Sequence, residues 1–215
     1  MQGDAVVLLY RGFLHPVLTA LGPPNEAAPL WREALAEVPN AEMVFGVCLP
    51  SHLGFVGEST PFAVPHAMFR MRLGGAPPAS GPTLALGEPD IPMLRALYQD
   101  GAARGEIPDF FDDSMVHAGV YHGVREGGAL VAVAGTHVVT PTVAAIGNVY
   151  VRHDARGRGL AGRVTAAVAH ALRDRGIGTV VLNVRQDNAA AIRVYERLGF
   201  VVHGEFIEGF AQPRA

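Results

Sequence analysis

Residues Arg156-Gly157-Arg158-Gly159-Leu160-Ala161-Gly162 join a strand-like run to a helical one. Residue types in this order suit an anion. The first N–H groups of a helix have no acceptor within it, and the helix dipole favours negative charge there. Glycines remove the Cβ atoms that would hold a phosphate away from the backbone. The two arginines add charge and forked donors. Phosphate binding is therefore the chemistry expected of this loop.

Thirty residues on, Asn188-Ala189-Ala190-Ala191 opens a second helical run, and Tyr195-Glu196-Arg197-Leu198-Gly199-Phe200 ends it. Asn188 and Tyr195 are seven positions apart, about two turns, so they share one helix face. Ala191 lies between them and leaves room for a ligand chain. Asn188 also fits an N-cap, and the two roles are compatible.

Two kinds of phosphate site compete for the glycine loop. Gly157-x-Gly159-x-x-Gly162 matches the dinucleotide string GxGxxG, which alone is weak. A Rossmann site places that string after the first strand of a parallel unit, with an acid ending the next strand. Here the loop follows a three-strand meander, and the next strand ends near Asn183 and Val184 without an acid.

The alternative resembles the GNAT (N-acetyltransferase) superfamily. Arg156-x-x-Gly159-x-Ala161 is similar to its acyl-coenzyme A loop, Gln/Arg-x-x-Gly-x-Gly/Ala, and Asn188-x-x-Ala191-x-x-x-Tyr195-x-x-Leu198-Gly199-Phe200 is similar to its second coenzyme motif. The resemblance covers roughly residues 83–210. The run Gly147-Asn148-Val149-Tyr150-Val151 looks most like the branch with glycine N-acyltransferase-like domains.

What this resemblance implies is specific. The fold is an α/β, mixed-sheet acyltransferase domain whose mostly antiparallel central sheet splays open. Backbone groups of Val149, Tyr150 and Val151 would pair with the pantetheine amides. The amides of Gly157, Arg158, Gly159, Leu160, Ala161 and Gly162, with Arg156, would cradle the pyrophosphate. Asn188 would hydrogen-bond the pantetheine arm. Acetyl-CoA would be the co-substrate, and a small amine or a peptide amino group the acceptor, attacked directly in a ternary complex. A thiol such as the leaving coenzyme has a pKa of ~8.5, and a phenol near ~10 can donate to its sulfur as charge builds, which makes Tyr195 the candidate catalytic residue. Related enzymes often carry a Glu on the strand before the loop; here the positions read Ala144-Ala145-Ile146. His117, His137, Tyr121 and Glu126 stay open as bases, beside a water chain or uptake of neutral amine. A coenzyme A-binding module without catalysis is the second reading.

The elements that must position these residues follow from periodicity. Leu160–Arg175 is the clearest helix, with Val164, Val168, Ala171 and Leu172 on one stripe and Gly176 as terminator. Before it, Val116–Arg125, Ala129–Val139 and Val143–Val151 read as a meander, with Thr140-Pro141-Thr142 as a turn. Thr83–Leu86 reads as a short strand, Asp90–Asp100 as a helix and Asp109–Met115 as a short helix. After the loop come strand Thr179–Val184, helix Asn188–Leu198 and strand Phe200–Phe206. Leu73–Pro82 (LGGAPPASGP) is a Gly/Pro run that reads as a linker. Residues 1–75 before it form a small α+β unit, with helix Ala27–Val38 and apolar runs Val6–Tyr10, Met43–Leu49 and Phe62–Phe69. That unit fits a degenerate acyltransferase half, a lid or a dimerisation element that would make a homodimer; residues 83–215 form the acyltransferase domain.

Composition bounds the rest. Of 215 residues 49% are hydrophobic and 17% charged, enough to bury a core. All 17 basic residues are arginine, which reads as codon bias in a GC-rich bacterial genome. The net charge of −3 gives no argument for nucleic acid or an anionic membrane. From Arg152 to Arg197, however, nine arginines face four acids, a local +5 that suits a polyanionic small ligand. Cys48 is the single cysteine, so neither an intrachain disulfide nor a Cys-based metal site is expected. The nine histidines show no HExxH, and no metal is expected. A reducing cytoplasm is the simplest location, since no signal peptide or apolar span is seen.

Overall fold

The computed structural model describes residues 3–12, 15–39, 42–106 and 111–211. The chain divides into two compact units: residues 1–69, 185–187 and 204–215 in one, and residues 70–184 and 188–203 in the other.

In the first unit, β1 (Val6–Tyr10) pairs antiparallel with β2 (Val17–Leu21), and β2 runs parallel to β3 (Val44–Cys48). Helix α1 (Pro24–Ala36) starts at a proline pair, where a missing N–H costs nothing, and buries Ala27 and Trp31. The Trp31 indole donates to Thr60 Oγ1 at 3.0 Å, satisfying a donor that burial would otherwise leave unpaired. Helix α2 (Leu53–Ser59) adds Phe55 and Val56 to a core with Leu18, Val44 and Cys48. Strand β2 and helix α2 are elements that the apolar runs did not reveal. Burial pushes the Cys48 thiol up to about 12, so it stays an inert apolar group. The run expected at Phe62–Phe69 forms as β4 (His66–Leu73), whose last four residues belong to the second unit.

The second unit holds the glycine loop. Its sheet contains β5 (Leu84–Leu86), β6 (Tyr121–Glu126), β7 (Ala129–Val139) and β8 (Val143–Val151) as an antiparallel series, with β9 (Thr179–Arg185) parallel to β8. The mixed sheet is thus mostly antiparallel, as expected. Helix α3 (Ile91–Ala102) buries Leu94, Leu97 and Tyr98. Helix α4 (Asp113–Ala118) starts at Asp112, whose carboxylate accepts from the Ser114 N–H at 2.9 Å. The strand expected from Val116 therefore starts only at Tyr121, because the Asp112 cap commits 113–118 to a helical turn. Asp109 and residue 110 of the helix expected at Asp109–Met115 lie outside the described residues.

Helix α5 (Leu160–Asp174) packs on β6, β7 and β8 through Val164, Val168 and Leu172, which are fully buried. Gly176, at φ +80°, closes it. The Gly/Pro run is docked: Pro77 is buried, the Gly74 N–H donates to Gly199 O at 2.9 Å, and Arg173 donates to Gly75 O at 3.2 Å. Apolar prolines and free carbonyls give such a segment something to pack, although its composition reads as a spacer. Helix α6 (Ala189–Arg197) and β10 (Phe200–Ala211) complete the chain, and β10 continues five residues past the expected Phe206, pairing antiparallel with β3 from Ile207 to Ala211 within the first unit.

Candidate functional site

The sheet opens at β8. The parallel ladder with β9 runs from Val143↔Thr179 to Ile146↔Leu182 and stops there. From Gly147 to Val151 that edge of β8 has no ladder partner in β9, so its backbone groups are open to an extended ligand, in the manner of strand addition. Toward β7 the same stretch is bulged, with a register shift between Val133 and Gly135, and a second shift between Thr136 and Val138 lies opposite Ala145 and Ile146. Asn148 is the bulge residue with φ +52°, the one described non-glycine in the left-handed region, where Asn is tolerated better than branched residues.

The Asn148 side chain is buried, 3% exposed, and its bonds are unambiguous in sense. Its amide Nδ2 donates to the Tyr121 hydroxyl at 2.8 Å and to Met115 Sδ at 3.4 Å. Its Oδ1 can only accept, so His137 donates through Nε2 at 3.0 Å. The Asn148 carbonyl accepts from the Tyr98 hydroxyl at 2.8 Å. Two glycines face each other across the β7–β8 ladder, Gly135↔Gly147, and make room for these rings. A Cβ on Gly135 would lie 2.1 Å from the Tyr121 ring, and one on Gly147 would lie 2.2 Å from His137 Nε2.

The glycine loop sits beyond the open end of β8. Gly159 is the N-cap of α5 with φ +73°, and Gly157 has φ +75°. No atom lies within 4 Å of a Cβ built at either position, so the backbone surface is clear for a bulky anion. Leu160, Ala161 and Gly162 form the first turn of α5, so their N–H groups have no helical acceptor. Leu160 is buried and anchors the turn.

Both loop arginines are already paired. Arg156 binds Glu106 through Nη1 at 3.1 Å and through Nη2, donates from Nε to Val151 O at 3.1 Å, and lies 5.8 Å over the Tyr150 ring. Arg158 binds Glu126 at 2.9 and 2.5 Å. These guanidinium bonds hold both carboxyls below their ordinary values. Glu106 escaped the sequence reading because it lies fifty residues from Arg156 and carries no local signal. The local positive charge is therefore partly offset: beside these two pairs, Arg152 pairs with Asp154 at 2.6 Å and Arg185 with Asp187 at 2.6 Å.

Val149, Tyr150 and Val151 occupy the open stretch of β8. Tyr150 is buried, and its hydroxyl donates to Asp100 at 3.1 Å. The Val151 carbonyl carries the Arg156 bond, which ties the strand end to the loop. Asn188 caps α6, its Oδ1 accepting from the Ala191 N–H at 3.0 Å, while its Nδ2 retains donor capacity. Helix α6 lies against the start of α5: a Cβ on Gly162 would meet Val194 Cγ1 at 3.6 Å. The two halves of the sequence signature thus stand side by side.

Tyr195 follows Val194 on α6. It is 7% exposed and packs edge-on against Phe200, with centroids 6.2 Å apart. Burial pushes its phenol up to about 12, so it is a neutral donor at any physiological pH. Of the four residues weighed as bases, Glu126 is bound to Arg158, and Tyr121 accepts from Asn148 with its phenol pushed up to about 12. His117 is exposed on α4, 3.9 Å from Glu88, and His137 lies on β7 against Asn148. Among the described residues no group of metal-ligating side chains is found, and no helix is long and apolar enough to cross a membrane.

Comparison with known proteins gives the family. Mycothiol acetyltransferase from Rhodococcus opacus is 56% identical over 59 residues, a match spanning 26% of this chain and 19% of that protein's length. An acetyltransferase of the GNAT family from Novosphingobium aromaticivorans superposes with a TM-score of 0.70 at 27% identity, over 92% of this chain and 84% of that one. A GCN5-related N-acetyltransferase from Kribbella flavida superposes with a TM-score of 0.69 at 18% identity, over all of this chain (100%) and 89% of that one, a likeness of fold. Residues 91–200 match the Acetyltransferase (GNAT) family, and that span takes in the open strand, the glycine loop and Tyr195: the chain belongs to the GNAT acetyltransferase family.

Proposed function

We propose that the chain transfers an acetyl group from acetyl-CoA to a primary amine, by direct attack of the amine on the thioester in a ternary complex. The observation that carries this reading is the end of the β8–β9 ladder at Ile146↔Leu182, directly before the glycine loop. The residues present fit the coenzyme. The open edge at Val149–Val151 offers backbone groups to the pantetheine amides, and Asn188 Nδ2 adds a donor. The backbone of Gly157–Gly162 faces the pyrophosphate with no Cβ in the way at Gly157 or Gly159. The local match to a mycothiol acetyltransferase supports acetyl transfer, and the amine acceptor is our reading.

Chemically, the amine nitrogen bonds to the acetyl carbon, and the carbon–sulfur bond breaks. Tyr195 donates a hydrogen bond to the departing sulfur, so negative charge builds against a fixed dipole in a dry setting. With its phenol near about 12, Tyr195 is the weaker acid, and its part is hydrogen-bond donation more than full proton loss. The proton released by nitrogen leaves through water or through a histidine on the acceptor side. Cys48 lies in the other unit and is buried, which speaks against a cysteine acyl-enzyme.

The test is thiol release from acetyl-CoA with a panel of amines, run beside thermal shift with coenzyme A. Turnover on at least one amine is expected. A thermal shift with no turnover on any amine would replace this reading with that of a binding module.

A further inference from the structure

Four arginines near the glycine loop, Arg104, Arg152, Arg156 and Arg158, are paired, but unequally. Arg152 binds Asp154, two positions along, and Arg104 lies 3.8 Å from Asp100, four positions before it. Arg156 is fixed on three sides, by Glu106, the Val151 carbonyl and the Tyr150 ring. Arg158 differs. Among the described residues its guanidinium has Glu126 as its one hydrogen-bonding partner, at 2.9 and 2.5 Å. It stands between Gly157 and Gly159, and its side chain is 50% exposed. Glu126 reaches it from the tip of the β6–β7 hairpin, where Gly127 (φ +56°) and Gly128 (φ +84°) make the turn.

We propose that Glu126 and a phosphate of the coenzyme compete for Arg158, so that Arg158 exchanges a carboxylate for a phosphate when the coenzyme docks and Glu126 sets the coenzyme affinity. The inference rests on the reading that the coenzyme's phosphates lie at Arg156–Gly162. A guanidinium presents the same fork to a carboxylate and to a phosphate, and the whole pyrophosphate or the 3′-phosphate carries more charge than one carboxylate. An exposed carboxylate pair is weak, so giving it up costs little. Free Arg158 is thereby held in a folded-back pose instead of searching solvent, and the spent coenzyme is let go more readily than if the arginine had no alternative partner. Glu126 is then a residue that tunes binding through Arg158, in place of the proton acceptor its type also allows.

The test is the dissociation constant of coenzyme A, measured by calorimetry on the full chain and on Glu126→Gln, Arg158→Gln and the double variant. Glu126→Gln should bind about two- to five-fold tighter, the range of an exposed ion pair. Arg158→Gln should bind about ten-fold weaker, having lost a charged contact to phosphate. The double variant should match Arg158→Gln alone, because Glu126 acts only through Arg158. Repeating Arg158→Gln with 3′-dephospho-coenzyme A identifies the phosphate: an unchanged penalty places Arg158 on the pyrophosphate, and a vanished one on the 3′-phosphate. Glu126→Gln binding no tighter than the parent overturns the exchange. Gly159→Val separates the two failures: if it weakens binding while Glu126→Gln gains nothing, only the exchange falls, and if it binds as the parent does, the loop reading falls with it.

Discussion

The Asn148 amide donates to the Tyr121 hydroxyl at 2.8 Å, and this bond joins the bulge of β8 to the start of β6. Tyr121 nests over Gly135, His137 over Gly147, and Asn148 bridges the two rings across a facing glycine pair. The bulge is where β8 leaves the β9 ladder, so the network braces the strand at the point where it opens.

Replacing Asn148 with Ala should therefore destabilise the second unit by about 1–3 kcal/mol, the cost of buried partners losing a bond, and Ala also tolerates positive φ less well than Asn. Asn148→Gly relieves the backbone strain alone and should fall between Ala and parent. Urea unfolding measures both. An Ala variant as stable as the parent would mean that the network contributes nothing.

For Tyr195→Phe, turnover should drop by roughly 10- to 1000-fold while coenzyme affinity and folding change little. The ring keeps its contact with Phe200 and only the hydroxyl is lost. Because burial places the phenol near about 12, the parent should show no loss of rate from Tyr195 ionisation between neutral pH and ~10. Steady-state rates across that range check both statements, and equal rates for variant and parent would leave Tyr195 a packing residue.

At the loop, Gly159→Val should weaken coenzyme A binding by about ten-fold or more, since a β-branched residue at φ +73° is strained and its side chain occupies the cleared surface. Gly162→Ala makes an ordinary 3.6 Å contact with Val194 and should instead keep the fold, with a gain of about 0.5–1 kcal/mol in helix propensity. Calorimetry and thermal unfolding of the pair distinguish a specific loop conformation from a general need for small residues.

His122 supplies a pH signature. It is half-buried on β6, with Nδ1 3.1 Å from Thr83 Oγ1, and burial lowers its pKa. A depressed folded-state value means that the unfolded chain binds the proton more readily. The stability from neutral His122 is thus present above its unfolded pKa of ~6.5 and is lost as pH falls through the lower folded value. On acidification from neutral pH, the parent should lose stability faster than His122→Gln does. Parallel pH profiles of the two would show that His122 is solvated in the native state.

The residues local in sequence declared themselves. A glycine loop against a helix start, and Asn188 and Tyr195 two turns apart, are patterns whose physics is contained in a few neighbouring residues: orphan N–H groups, positive φ and helical periodicity. Helices α5 and α6 with their terminators Gly176 and Gly199, and strands β7 and β8, follow from the same short-range rules. Tertiary structure decided what depends on partners far along the chain. The arginines read as free positive charge, but Glu106 lies fifty residues from Arg156 and Glu126 thirty-two from Arg158, and no periodicity links such pairs. Asn148 passes in sequence for an ordinary strand residue; its left-handed backbone arises only because β7 and β8 fall out of register. The Gly/Pro run reads as a spacer until α5 offers Arg173 to its carbonyls. The end of β10 finds β3 more than 150 residues upstream, a pairing that loop-closure entropy leaves unwritten in any local window and that packing alone selects.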